Sequence, residues 1–117
     1  MATYSDFTWE KILKDLAGLC ERGELRLYDA RGVQLAGLRF PPNAFEKRPD
    51  GCVCAKVVED DPNAAASGLA TEYRVYTKNE ELILTGSIGP RGDLKVKDAF
   101  VEAGGKVSIG NFTLAPG

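Results

Sequence analysis

Three thiols are the first residues in this chain whose type and spacing could do chemistry. Cys52 and Cys54 stand one residue apart in "CVC", so an extended strand would carry both on the same side, and Cys20 could bring a third sulfur to a metal ion. Structural zinc, however, takes its thiolates from a tight Cys-x2–4-Cys knuckle closed by a fourth ligand, and no fourth ligand is visible. Three cysteines are an odd number and too few for a disulfide scaffold at this length. Because free cysteine is among the most buried residue types, all three read as reduced, buried side chains, with a disulfide between subunits as the alternative. "EDDPN", Glu59 to Asn63, gathers oxygens of the kind calcium prefers but lacks the Asp-x-Asp-x-Asp-Gly run with its distal Glu. It reads as a solvated turn. The same holds for "RGD" at Arg91 to Asp93, since Gly and Asp are what a turn between strands needs.

The chain contains no histidine. That removes the commonest general base near neutral pH, every Ser-His or Cys-His nucleophile and every His-containing zinc site. No Gly-rich phosphate loop ending in Lys-Ser/Thr and no GxGxxG after a strand occurs. No pair of carboxylates can be placed in a cleft for acid–base work. The expectation is therefore a protein that is not an enzyme and that holds neither cofactor nor metal.

Fifteen Lys and Arg against seventeen Asp and Glu leave a formal charge of -2, which gives little drive to release counterions from a phosphate backbone. Nucleic acid is thus an unexpected partner and protein an expected one. With 44% hydrophobic and 27% charged residues, the 117-residue chain has the composition of one globular domain over 1–117. Charges interrupt the apolar residues of "MATYSDFTWEKILKDLAGLCERGE" too often for a signal core or a membrane span, so the expected place of synthesis and assembly is a cytoplasm, with no membrane partner.

Trp9, Ile12, Leu13, Leu16, Leu19 and Cys20 recur at three- and four-residue steps, which predicts an amphipathic helix over about residues 6–21. Ser5 or Asp6 is placed to cap it, and Gly23 to take the left-handed geometry that ends it. From about residue 24 to 115 the period falls to two. "LRLYDARGVQLAGLRF", Leu25 to Phe40, reads as a hairpin, and "YRVYTKNEELILTGSIG", Tyr73 to Gly89, echoes it, with one inserted residue in the second turn when Leu and Gly are matched. Between them, "PPNAFEKRPDG" reads as a loop and "CVCAKVVE" as a strand; "LKV" and "KVSIGNFTL" follow as later strands. Two similar ribbons with buried inner faces make a natural pair of facing sheets. The predicted fold is mainly β: an antiparallel β-sandwich, jelly-roll or immunoglobulin-like, of about seven strands with one N-terminal helix. Arg26 and Arg74, flanked by apolar residues in their strands, are either ligand contacts or outward-facing groups.

In order along the chain, "GELRLYD" at Gly23 to Asp29, "LAGLRF" at Leu35 to Phe40, "AAASGLATEYRV" at Ala64 to Val75, "TGSIG" at Thr85 to Gly89, "GDLKV" at Gly92 to Val96, "VEAGG" at Val101 to Gly105 and "VSIGNFTL" at Val107 to Leu114 resemble a family of small virion-associated structural proteins of tailed bacteriophages and prophages. This chain departs from that pattern in its higher charge, its Cys-Val-Cys strand and its shortened middle. The resemblance implies no catalytic residues. It implies a place in a virion: an accessory or decoration subunit on a repeated site of capsid, neck or tail, with the major capsid, neck or tail proteins and copies of itself as partners. The terminal and helical aromatic or apolar residues Tyr4, Phe7, Trp9, Phe112 and Leu114 are the candidate assembly interface. The alternative is a small carbohydrate- or receptor-binding module presenting Tyr28, Tyr73 and Tyr76 near the hairpin turns.

Overall fold

The computed structural model describes residues 5–47, 53–55, 58–88, 99–109 and 112–114, with backbone alone at Asp6, Phe7, Trp9, Glu10, Thr113 and Leu114. The fold is mainly antiparallel β with one helix at its N-terminal end. Helix α1 spans Asp6–Cys20 and is capped by Ser5, whose hydroxyl accepts a hydrogen bond from the Thr8 amide at 3.3 Å. Leu13, Ala17 and Cys20 are buried, and Ile12 and Leu16 are half-buried, so the three- and four-residue spacing turns one stripe inward. Leu19, expected on that stripe, faces out. The helix also ends differently from expectation: Arg22, not Gly23, has positive φ (63°). Glycine is required at 23 for another reason, because a β-carbon there would collide with the carbonyl oxygen of Tyr76.

Among the described residues nine short strands follow: β1 Glu24–Tyr28, β2 Gln34–Arg39, β3 Phe45–Lys47, β4 Val53–Ala55, β5 Gly68–Leu69, β6 Glu72–Tyr76, β7 Leu82–Ser87, β8 Phe100–Val101 and β9 Thr113–Leu114. They form a four-stranded sheet in the order β2-β1-β6-β7, a three-stranded sheet β3-β4-β9 and a ribbon β5-β8, all antiparallel. Strand β3 lies inside the segment expected to be a loop, where Phe45 turns half its ring into the core. The "LKV" and "RGD" segments lie outside the described residues.

The two look-alike hairpins do not face each other. They lie side by side in one sheet, with β1 against β6 and Arg26 directly opposite Arg74. Since antiparallel partners are related by a half-turn, a local dyad through that pair carries Gly23–Phe40 onto Thr71–Ile88 at a constant separation of 48 positions. No residue is inserted. Both hairpins skip one residue at a bulge, Leu35 in the first and Ile83 in the second. Matching Leu35 with Leu84 by identity is one position out of register, since the dyad relates Leu35 to Ile83 and the two turns are equal in length. The turns themselves superpose bond for bond. Asp29 Oδ1 accepts from the amides of Arg31 and Val33, as Thr77 Oγ1 does from those of Asn79 and Glu81. Gly32 (φ 83°) and Glu80 (φ 67°) hold the same left-handed place.

Period-two alternation then divides the sheet. Leu25, Leu27, Leu38, Tyr73 and Val75 are buried and join Leu13, Ala17 and Cys20 of the helix in one cluster with Val53, Ala55 and Phe112 of the second sheet. At its centre Phe112 packs on Phe40 (ring centroids 5.6 Å apart), Phe45 (6.3 Å) and edge-on against Tyr73 (6.0 Å). Those rings bridge the two sheets, each pair adding about 0.5–1.5 kcal/mol beyond its buried area. Cys20 is wholly buried, and that burial pushes its thiol up to about 12. It is protonated and inert at neutral pH.

Candidate functional site

Of the 18 positions that the dyad relates, only three hold the same residue in both halves: Glu24 and Glu72, Arg26 and Arg74, Tyr28 and Tyr76. In Glu-x-Arg-x-Tyr all three side chains share one face of a strand, the face turned away from the core. Antiparallel pairing then brings six such groups together around the axis.

Arg26 Nε donates to Glu24 at 2.9 Å, and Arg74 Nε to Glu72 at 2.7 Å. Each guanidinium also lies over a tyrosine of the other strand: Arg26 over Tyr76 at 4.3 Å from the ring centroid, Arg74 over Tyr28 at 4.2 Å. Stacks of this kind contribute about 0.5–1 kcal/mol at exposed sites and more when water is excluded. The two tyrosine hydroxyls meet at 3.3 Å. Gly37, opposite Arg26 on β2, leaves room for the Glu24 carboxylate, which a β-carbon would displace.

The symmetry fails at one place. Arg26 Nη2 reaches a second carboxylate, that of Glu80 in the second turn. The position related to Glu80 is Gly32, which has no side chain, so among the described residues Arg74 has Glu72 as its single carboxylate. The arginines differ accordingly, with 16% of the Arg26 side chain exposed and 34% of Arg74. Burial draws the Arg26 guanidinium down, but the hydrogen bonds to Glu80 and Glu24 outweigh it and hold it above its ordinary value. Arg74 is raised by its hydrogen bond to Glu72 first. The tyrosines part in opposite directions: burial and the bond between the hydroxyls raise Tyr28, while that same bond and the nearby Arg74 lower Tyr76.

The other candidate residues disperse. Phe112 is buried among Phe40, Phe45 and Tyr73, so its ring serves the core. Tyr4 and the side chains of Phe7, Trp9 and Leu114 fall outside what is described. Cys52 does too, while Cys54 is half-buried on β4 with Val53 and Ala55 turned inward. Among the described residues no three Cys, Asp or Glu side chains converge on a point that could hold a metal.

The acidic turn has a different task. Asp61 Oδ2 accepts from the Gly37 amide at 2.9 Å, the Glu59 amide donates to the Arg39 carbonyl at 2.8 Å, and the Ala65 amide donates to Leu35 at 2.9 Å. Residues 59–65 therefore strap the outer edge of β2. A groove of about 470 Å3 between helix and second sheet is lined by Lys14, Ala17, Glu21, Phe45, Lys47 and Val53.

Sequence reasoning found the Arg and Tyr residues but not that they meet. The signal was the shared Glu, one residue ahead of the segment first matched, which completes Glu-x-Arg-x-Tyr in both halves. Comparison with family models, curated proteins and solved structures finds nothing that matches the chain.

Proposed function

We propose that this chain is a structural subunit of a tailed-phage particle, an accessory or decoration protein seated on a repeated site of capsid, neck or tail. The run of seven motifs in family order, from Gly23–Asp29 to Val107–Leu114, carries the proposal. The arrangement of the fold supports it. The two strands at the heart of the larger sheet direct their polar side chains into mutual ion pairs and stacks rather than into a cleft. Meanwhile Leu69 and Phe100, direct neighbours across the β5-β8 ribbon, are 56% and 58% exposed, the kind of outward apolar pair that a neighbouring subunit covers. On a symmetric particle many such modest contacts add through avidity.

A sugar-binding role has no comparable support, because Tyr73 is in the core and Tyr28 and Tyr76 each carry a guanidinium on one face. Mass spectrometry of purified particles, from a lysate of cells producing phage that encode this chain, is the direct test. The chain should co-purify with capsid, neck or tail proteins at a fixed copy number. Its absence from intact particles would sink the proposal.

A further inference from the structure

The broken dyad supplies a template for a binding site. At Arg26 the guanidinium stacks on a tyrosine, holds one carboxylate on Nε from its own strand and a second on Nη2 from the turn of the other hairpin. At Arg74 the stack and the first carboxylate are reproduced, and the second is missing because the related turn residue is Gly32. A β-carbon built on Gly32 meets nothing within 4 Å, so no neighbour blocks the point from which the Glu80 side chain leaves the backbone in the other half. Arg74 is also the more exposed of the two guanidinium groups. We propose that the Arg74 guanidinium, beside the Gly32 turn, is a subsite for a carboxylate presented by an acidic side chain of a partner protein.

The ligand class follows from the geometry. Glu80 on Arg26 shows which group this fork accepts when a neighbour offers it, and shows that one arginine here accommodates two carboxylates at once. A planar guanidinium with its Nε engaged still presents further donors suited to a carboxylate. A lone exposed ion pair is weak, so a free small carboxylate has little hold on the site. An Asp or Glu carried on a docked protein surface arrives with its other contacts already made. This inference stands on the sheet geometry alone and is independent of which particle the partner belongs to.

The test is a titration of the full 15N-labelled chain with acetate at constant ionic strength, with acetamide as the neutral control, following the arginine Nε–Hε resonances by NMR. Loss of one resonance in Arg74→Lys identifies Arg74. Acetate should shift the Arg74 signal, acetamide should not, and Arg26 should stay still. The response should remain far from saturation at about 50 mM acetate, as a single exposed pair requires. Gly32→Glu should supply the missing carboxylate from within and abolish the response, and Glu80→Gly should make Arg26 respond as well. A silent Arg74, an equal shift with acetamide, or a Gly32→Glu chain that still responds would overturn the subsite. Saturation by acetate below about 1 mM would overturn its assignment to a protein side chain.

Discussion

Tyr28 and Tyr76 occupy equivalent places on paired strands, yet their surroundings pull their protons apart. Tyr76 shares a hydrogen bond with Tyr28 and sits beside Arg74, which favours its ionised form, whereas burial keeps Tyr28 protonated. In the native protein Tyr76 therefore ionises below the ordinary tyrosine value of 10.0 and Tyr28 above its own. For Tyr76 the lowered native value means that its ionisation adds stability as pH rises toward the ordinary value, and that this gain is lost as pH falls through the native one. For Tyr28 the sign is reversed, because the unfolded chain gives up that proton first and stability is lost as pH rises further. Absorbance at 295 nm should show an early tyrosine step that disappears in Tyr76→Phe. Nothing in the residue string distinguishes these two tyrosines. The difference comes from the hydroxyl–hydroxyl contact between them and from unequal burial, which exist only once the strands pair.

Among the elements, the two hairpins share their turn geometry but not their glycines. Gly86 on β7 lies under the ring of Tyr73, so a methyl group there must push a core aromatic aside, whereas Gly37 on β2 lies under the flexible end of Glu24. Gly86→Ala should cost about 1–3 kcal/mol of stability, as overpacking does, while Gly37→Ala should change stability little and release Glu24 from Arg26. Urea unfolding midpoints measure both. The sequence disclosed the hairpins, the helix cap at Ser5 and the alternation of Leu25 and Leu27 with Arg26 and Tyr28, because each follows from local spacing. It hid the bulges at Leu35 and Ile83, since an extra residue in a strand leaves no compositional mark, and it hid strand β3, whose Phe45–Lys47 run between a Pro pair and Arg48-Pro49 reads as loop.

Across the whole molecule, the interior is fastened by Phe112, far along the chain from the Phe40 and Phe45 rings that it joins. Phe112→Ala should remove about 3–5 kcal/mol and lower the denaturant midpoint of the helix signal and the strand signal together, since both elements bury their apolar faces in that one cluster. Period-two patterning was enough to give a mainly antiparallel fold. It was not enough to say whether similar ribbons stack or lie edge to edge, because an alternating strand offers one apolar face in either arrangement. The observed pairing sets Arg26 opposite Arg74, a juxtaposition of like charges that Glu24, Glu72, Glu80 and the two tyrosine rings together offset.

That side-by-side arrangement also sets an order in time. Each ribbon can close on itself within microseconds through its own tight turn, but β1 and β6 must find each other across the 43 residues between Tyr28 and Glu72, a slower search whose entropy cost is met before any stacking is gained. The arginine–tyrosine stacks therefore come into being late, when two finished ribbons dock, and a chain caught before that moment would expose two apolar flanks at once.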